Sequence, residues 1–281
     1  MKGSVLRSWT FVALAASIAV AAPVAGSTGS RTPTVSDLGS AASADAVTPV
    51  PDEIADAGGL RRARPSASPT DPPEPRPEPR PEPNLLVEVP RDLRMSSRPG
   101  GGRVVGVVPD GSRFYDVPTV AWMQQVSENG RFGRLRVPYS AGHRSGWISL
   151  GSLRRDQTWV TVHVDLSRRR VTVERRDRVL FGTRAAIGAA SSPTPVGRYF
   201  VTDRIAFGSG SSLGAFAFGI SGIQPNLPAG WSGGDQLAIH GTSDPSSIGQ
   251  AVSAGCVRVS ASALERLKPL LRLGTPVVIT R

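Results

Sequence analysis

One segment near the end of the chain carries the residue types that covalent catalysis needs. It reads HGTSDPSSIGQAVSAGCVRVS, begins at His240 and contains Cys256, the only cysteine among the 281 residues. A thiol attacks as its thiolate, so it needs a base that removes the proton. His240 ends the apolar run QLAIH and is the candidate base. The pair predicts attack on a carbonyl, provided that the fold brings the two side chains together.

The residues around this pair can complete such a site. Gly255 allows close backbone approach, and the amide hydrogens of Gly255 and Cys256 can both point at the oxyanion that forms during attack. Arg258 supplies a cation that can hold a substrate carboxylate and lower the thiol pKa. Asp244 is the nearest acidic residue in the sequence. We therefore expect a backbone carbonyl, that of Gly241, to bind the second imidazole nitrogen.

Three other interpretations of the lone cysteine compete with this one. It can be an inert buried side chain, which composition alone slightly favours. A zinc site needs three or four ligands and the segment offers one thiol and one imidazole, so we expect no metal and no other cofactor. Papain-like endopeptidases place the cysteine before the histidine, whereas here the order is reversed. His143 and His163 are expected to be structural or surface residues.

The first 26 residues have the three-part pattern of a secretory signal, with basic residues, an apolar run and the small residues AAPVAGS. The apolar run is shorter than the roughly 20 residues of a membrane-spanning helix, which favours cleavage over a retained anchor. We expect an exported, extracytoplasmic bacterial chain with no membrane span after cleavage. The net charge of +11 then favours an anionic wall polymer or membrane surface over nucleic acid. A solvated arginine-rich hairpin is the simpler alternative.

Composition divides the rest of the chain. Residues 27–84 lack aromatic side chains and contain PPEPRPEPRPEP, which predicts a disordered, extended proline-rich linker. Residues 85–155 show short apolar segments and an Asn129-Gly130 hairpin signal, and they predict a small barrel of about five strands that resembles a bacterial SH3-like module. Residues 156–281 alternate valines in two predicted strands, with His163 on the opposite face. Their one predicted helix has Ser262 and Glu265 as a capping box.

The segment from His240 to Arg258 resembles the active-site signature of the L,D-transpeptidases, the YkuD domain family. The resemblance lies in its His-Gly-Thr start and its Ser-x-Gly-Cys-x-Arg end, and it extends to SSPTPVGRYFVTDR, LGAFAFGISG and LGTPVVIT. It implies a mainly β protein. Its catalytic domain, residues 156–281, would be a β-sandwich or barrel with a short C-terminal helix.

The resemblance also implies a transferase of peptidoglycan biosynthesis and wall organisation. Cys256 would attack a donor tetrapeptide at the L-centre of diaminopimelate, and His240 would protonate the departing D-alanine. A second stem amine would then resolve the thioester into a 3→3 cross-link, and carbapenems would inhibit covalently. The resemblance assigns Gly255 to the oxyanion hole. It assigns substrate binding or bracing of the loop to Ser253, Thr242 and Arg258.

One position departs from the pattern, since many relatives have a second histidine where this chain has Ala254. This departure leaves His240 as the base and bears on the choice of acceptor. The same site can use water, as an L,D-carboxypeptidase, or a protein lysine, as an anchoring enzyme. A non-catalytic wall-binding protein is the alternative outside enzymes. The sequence leaves open the acceptor, the role of the SH3-like module and the oligomeric state.

Overall fold

A computed structural model describes residues 81–115, 117–208 and 210–281 of the chain. The predicted signal sequence, residues 1–26, and the predicted linker up to residue 80 lie outside the described residues. Among the residues that are described, no helix combines the length and the apolar character that crossing a bilayer requires.

The first block of the described chain consists of β-strands in two sheets. The strands are β1 (Asn84–Val89), β2 (Leu93–Arg98), β3 (Gly101–Val108), β4 (Thr119–Met123), β5 (Gln125–Val126), β6 (Phe132–Arg136), β7 (Ser145–Ser149) and β8 (Arg155–Thr158). One sheet has the order β4-β1-β8 and the other β3-β2-β7-β6-β5. These eight strands exceed the roughly five that were expected for residues 85–155, in part because β5 has only two residues and β8 begins at the last residue of that range.

The predicted hairpin at Asn129-Gly130 is present between β5 and β6, which pair antiparallel. Gly130 has a positive φ of 67°, a conformation that glycine adopts without steric cost. The Gly130 amide donates to the Ser127 carbonyl at 2.8 Å, so the turn spans more than the two residues expected. The SH3-like resemblance of this block stays a prediction.

The second block contains the strands that carry the candidate catalytic residues. They are β9 (Val160–Asp165), β10 (Arg170–Arg175), β11 (Arg178–Arg184), β12 (Ile187–Gly188), β13 (Gly197–Ala206), β14 (Phe216–Ile223), β15 (Gln236–His240), β16 (Ala251–Ser253), β17 (Val257–Arg258) and β18 (Pro276–Thr280). An eight-stranded sheet has the order β11-β10-β9-β18-β13-β14-β15-β17, and β12 pairs with β16. A 3-10 helix (Pro245–Ser247) and one α-helix, α1 (Ala261–Leu267), complete the block. The mainly β fold with a short C-terminal helix is thus confirmed.

The valine alternation places the core of this block where the sequence predicts it. Val162, Val164 and Val171 are fully buried, and each such side chain stabilises the fold by roughly 1.5–3 kcal/mol. His163 lies on the opposite face of β9, with Nε2 3.4 Å from Glu174 Oε2. It takes no part in the candidate site.

Helix α1 begins two residues earlier than the predicted capping box requires. Ser260 is the N-cap, because its Oγ accepts a hydrogen bond from the Ala263 amide at 3.2 Å. The predicted cap at Ser262 is therefore wrong, and Glu265 instead forms an ion pair with Lys268, one helical turn later. The helix ends before Pro269. Leu264 and Leu267 on its apolar face are buried, as is Leu271, which follows the helix.

The two blocks contact each other directly. The ring of Phe200, on β13, is buried in the core of the first block. The Tyr139 amide donates to the Ser221 carbonyl at 2.9 Å. Strand β8 pairs with β1 of the first block, which places Arg155–Thr158 on that sheet. The predicted boundary between residues 155 and 156 stays a prediction.

Candidate active site

Two parallel strands position the candidate residues at one end of the large sheet. Strand β15 pairs with β17 so that Ile239 faces Val257 and His240 faces Arg258. Ile239 and Val257 are buried in the core. Because side chains alternate along a strand, His240 and Arg258 project from the opposite face. Cys256 directly precedes β17 and lies beside the backbone of β15.

The His240 imidazole is buried, with only 3% of its surface exposed. Its Nδ1 lies 2.5 Å from the Gly241 carbonyl oxygen, the contact that the sequence predicts. With Nδ1–H donating to that carbonyl, Nε2 is left to accept a proton. Burial lowers the pKa of His240 to about 4; the Gly241 carbonyl opposes this shift and Arg258 adds to it. At neutral pH the ring is therefore uncharged, as a general base must be.

Cys256 forms no disulfide and is half-buried as a residue. Its sulfur lies 3.9 Å from the Gln236 carbonyl oxygen, to which the S–H donates. Burial raises the pKa of the thiol, while the Ala238 backbone and Arg258 lower it by less. The net shift of the thiol pKa is therefore upward. Arg258 acts in the expected direction, but loss of hydration around the sulfur outweighs it.

The thiol and the imidazole occupy neighbouring strands without direct contact. Among the described residues, no hydrogen bond joins Cys256 to His240. The register places Cys256 level with Ala238, two residues from His240, so the two α-carbons are about 8 Å apart at ordinary strand spacings. Rotation about χ1 can move the sulfur away from the Gln236 carbonyl. The resting site thus holds a neutral thiol beside a neutral base.

A hydrogen-bond relay holds the cysteine loop. Ser253 Oγ donates to the Cys256 carbonyl at 2.6 Å and accepts from the Gly255 amide at 3.1 Å. The Gly255 amide is therefore occupied, contrary to the expectation that it points at an oxyanion. Among the described residues, the Cys256 amide has no such partner. It is the remaining backbone donor next to the thiol.

Two residues that the sequence interpretation missed support this loop. Thr194 Oγ1 donates to the Gly255 carbonyl and accepts from the Gly188 amide, both at 2.8 Å. Gln224 packs against Gly255 so closely that a Cβ there would lie 2.1 Å from Gln224 Nε2. Thr194 belongs to the quoted motif SSPTPVGRYFVTDR, but no local pattern of residue types indicates its partner. Gln224 carries no sequence signal.

Thr242 and Arg258 differ in their availability to a substrate. The Thr242 hydroxyl accepts from the Asp244 amide at 3.0 Å and donates to the Asp244 carbonyl at 3.2 Å. It therefore stabilises the turn after β15. Arg258, in contrast, forms no ion pair with any described residue. Its guanidinium is the cation left free beside the thiol.

Comparisons with known proteins concern the part of the chain that contains this site. The model of the YkuD family, L,D-transpeptidase catalytic domain, matches residues 160–279. The putative L,D-transpeptidase YkuD of Bacillus subtilis is 28% identical over 120 residues, or 43% of this chain and 65% of that protein. Its counterpart from Bacillus licheniformis is 31% identical over 119 residues, or 42% of this chain and 64% of that protein. The chain thus spans slightly less than two thirds of the length of either curated relative.

Solved structures with a likeness to this chain include an L,D-transpeptidase from Mycobacterium smegmatis. It is 18% identical, with a TM-score of 0.35, and the likeness covers 67% of this chain and 99% of that one. Another is the L,D-transpeptidase LdtMt1 in complex with imipenem, which is 16% identical with a TM-score of 0.39. The likeness covers 71% of this chain and 100% of that one.

The β-rich fold and the family-model match assign this part of the chain to the class of transpeptidase domains. Residues 160–279 are an L,D-transpeptidase catalytic domain of the YkuD family. The family resemblance predicted from the sequence is therefore confirmed for this part of the chain. The roles of the individual site residues stay predictions, which the geometry above allows us to refine.

Proposed function

We propose that the protein is an exported L,D-transpeptidase that forms 3→3 cross-links between peptidoglycan stem peptides. The observation that carries the proposal is the parallel pairing of β15 and β17. This pairing brings Cys256, His240 and Arg258 near one another at the end of the sheet, within the residues that match the YkuD family model. Export is proposed from the signal pattern in residues 1–26.

Acylation begins with attack of Cys256 Sγ on the carbonyl of the L-centre of diaminopimelate. Because the thiol pKa is raised and the imidazole pKa lowered, no ion pair exists beforehand. His240 Nε2 takes the proton as the sulfur–carbon bond forms. The same proton then passes to the nitrogen of D-alanine as the carbon–nitrogen bond breaks. The Cys256 amide stabilises the oxyanion and Arg258 binds a substrate carboxylate.

Deacylation follows when the side-chain amine of a second stem attacks the thioester. His240 accepts the proton of the amine, the carbon–sulfur bond breaks, and the thiol recovers its proton. The product is a 3→3 cross-link. Water as the nucleophile gives a tripeptide, and a protein lysine gives an anchored protein.

The acceptor is identified by incubating the mature protein with purified disaccharide-tetrapeptides and weighing the products by mass spectrometry. We expect dimers that have lost one D-alanine, and none with Cys256→Ala. Tripeptides as the sole product would identify a carboxypeptidase. Unchanged tetrapeptides would support the non-catalytic wall-binding alternative.

Carbapenems should acylate the same sulfur. Their strained β-lactam carbonyl is opened by the thiol with no group lost, so the protein gains the whole mass of the inhibitor. We expect this gain on the peptide that contains Cys256 and its absence in Cys256→Ala. An adduct elsewhere, or none, would contradict the proposed nucleophile.

A further inference from the structure

A second cleft, of about 500 Å³, contains none of the candidate catalytic residues. Four arginines from different elements line it. Arg175 ends β10, Arg176 follows in the turn, Arg204 lies on β13 and Arg272 follows α1. All four are exposed.

The positive charge of this arginine cleft is largely uncompensated. Arg272 Nη1 lies 2.6 Å from Asp156 Oδ2, and this contact holds the pKa of that carboxyl below its usual range. Among the described residues, no carboxylate pairs with the three other guanidinium groups. A cleft with charges of one sign and low-dielectric walls concentrates the field and attracts ions of the opposite charge.

Two of these guanidinium groups are held in place by neighbouring groups. The Arg176 guanidinium carbon lies 4.1 Å from the ring centroid of Trp159. Arg204 donates to the Leu271 carbonyl, and its guanidinium lies 5.7 Å from the ring centroid of Phe218. Such stacking orients the planar fork for bidentate binding and reduces the entropy lost when an anion arrives.

We propose that this arginine cleft binds a linear polymer of phosphodiester-linked alcohol units, such as poly(glycerol phosphate). Phosphate oxygens match the bidentate geometry of guanidinium. The cleft is larger than one phosphate ion and has arginines at several points, so it suits successive charges along a chain. Arg176 covers a face of Trp159, so this ring is not an open platform for stacked bases. The chemistry therefore favours a polyanion without nucleobases.

The proposal does not depend on the proposed transpeptidase function. A chain held on a wall polymer through this cleft keeps the cysteine loop free, because the two sites share no residue. Binding should therefore be the same in Cys256→Ala and in the parent protein. Loss of activity without loss of binding would separate the two proposals.

The test measures binding of poly(glycerol phosphate) by calorimetry at fixed ionic strength. Its target is the double variant Arg175→Gln, Arg176→Gln. A matched control, Arg131→Gln with Arg134→Gln, removes the same charge from exposed arginines of the first block. We expect about a tenfold or greater loss of affinity in the cleft variant and less than a twofold loss in the control, since only the cleft arginines would make charge-assisted hydrogen bonds.

Four results would overturn the proposal. Equal losses in both double variants would mean that net charge, not the cleft, binds the polymer. Tighter binding of a single-stranded oligonucleotide of matched charge would identify a nucleic-acid site. Tighter binding of phosphatidylglycerol vesicles would identify a membrane surface. Inorganic phosphate should bind far more weakly than the polymer, and equal affinity would reduce the site to one for a single ion.

Discussion

At the scale of single residues, the resting site holds an uncharged thiol beside an uncharged imidazole. Burial drives both groups toward their neutral forms, raising the pKa of Cys256 and lowering that of His240. In the proposed mechanism the imidazole accepts the thiol proton only during attack, which would protect the resting sulfur from adventitious reaction. Reactivity then depends on a substrate that brings the two groups together.

The first prediction concerns the thiol. Because no thiolate is preformed, iodoacetamide should modify Cys256 slowly at neutral pH, and the rate should rise steadily as the pH approaches and passes 9. His240→Ala should change this rate by less than about threefold, since the imidazole pKa shift includes no contribution from the thiol. The rate is measured by mass spectrometry from pH 6 to 10. A plateau below pH 7 that disappears in His240→Ala would reveal a preformed ion pair.

The second prediction concerns the pH dependence of stability. His240 has a folded pKa of about 4, below the value of about 6.5 expected in the unfolded chain. The unfolded state therefore binds the proton first as the pH falls. The contribution of His240 to the free energy of unfolding is fully present above about pH 6.5. It is lost progressively as the pH falls to about 4, by about 3 kcal/mol in total.

Urea unfolding at pH 7 and pH 4.5 measures this loss. His240→Gln, which has no proton to bind, should lose clearly less stability between these two values than the parent protein. The acidic side chains whose pKa is lowered, Asp156 and Asp244 among them, act at lower pH. Equal losses in both proteins would show that His240 does not cause the effect.

At the scale of elements, the cysteine loop depends on contacts with strands that are distant in sequence. Gly255 has a φ of 118°, which is strained for any residue with a side chain. A Cβ at this position would also overlap Gln224. The third prediction is that Gly255→Ala costs about 1–3 kcal/mol of stability and greatly slows acylation.

Thermal unfolding and carbapenem adduct formation check this prediction together. Gly101→Ala is the control, because a Cβ there meets nothing within 4 Å. Adding Gln224→Ala to Gly255→Ala should recover the stability that is lost through the overlap with Gln224. The loss that comes from the strained φ of residue 255 should remain. An active Gly255→Ala variant of normal stability would contradict the geometry described for this loop.

The fourth prediction concerns Thr194, which links the Gly188 amide to the Gly255 carbonyl. Thr194→Val keeps the shape but leaves two buried backbone groups without a partner, and each such group costs about 1–3 kcal/mol. Acylation should slow as the loop loses its anchor, whereas Thr194→Ser should retain both stability and rate. Chemical unfolding and the rate of adduct formation test both variants.

These elements also show how far the sequence could be interpreted. Valine alternation and turn residues identify β9, β10 and the hairpin after β5, because their signals lie within a few consecutive residues. The predicted N-cap of α1 lies two residues too late in the chain. Serines occupy both positions 260 and 262, and only the fold determines which of them caps the helix. Thr194 and Gln224 act on Gly255 across long sequence separations. No local pattern encodes such contacts, so they could not be predicted.

At the scale of the whole molecule, the two blocks share buried groups. Phe200 belongs to β13 but its ring lies in the core of the first block. Arg198, two residues earlier, places its guanidinium carbon 4.5 Å from the ring centroid of Trp122. Arg113 of the first block forms an ion pair with Asp235, which directly precedes β15. Residues 81–158 therefore share a core with β13 and contact the residue that directly precedes the strand carrying His240.

The fifth prediction follows from this shared core. Phe200→Ala should destabilise the protein by about 3–5 kcal/mol, the cost of deleting a buried aromatic ring. Because the ring joins both blocks, unfolding should remain a single transition whose midpoint falls equally for tryptophan fluorescence and for accessibility of the Cys256 thiol. Phe114→Ala, which removes a ring that is 55% exposed, should change stability by less than about 0.5 kcal/mol. Two separate transitions in the parent protein, one by each probe, would contradict this prediction. The two blocks would then unfold independently, and Phe200 would not couple the first block to the catalytic domain.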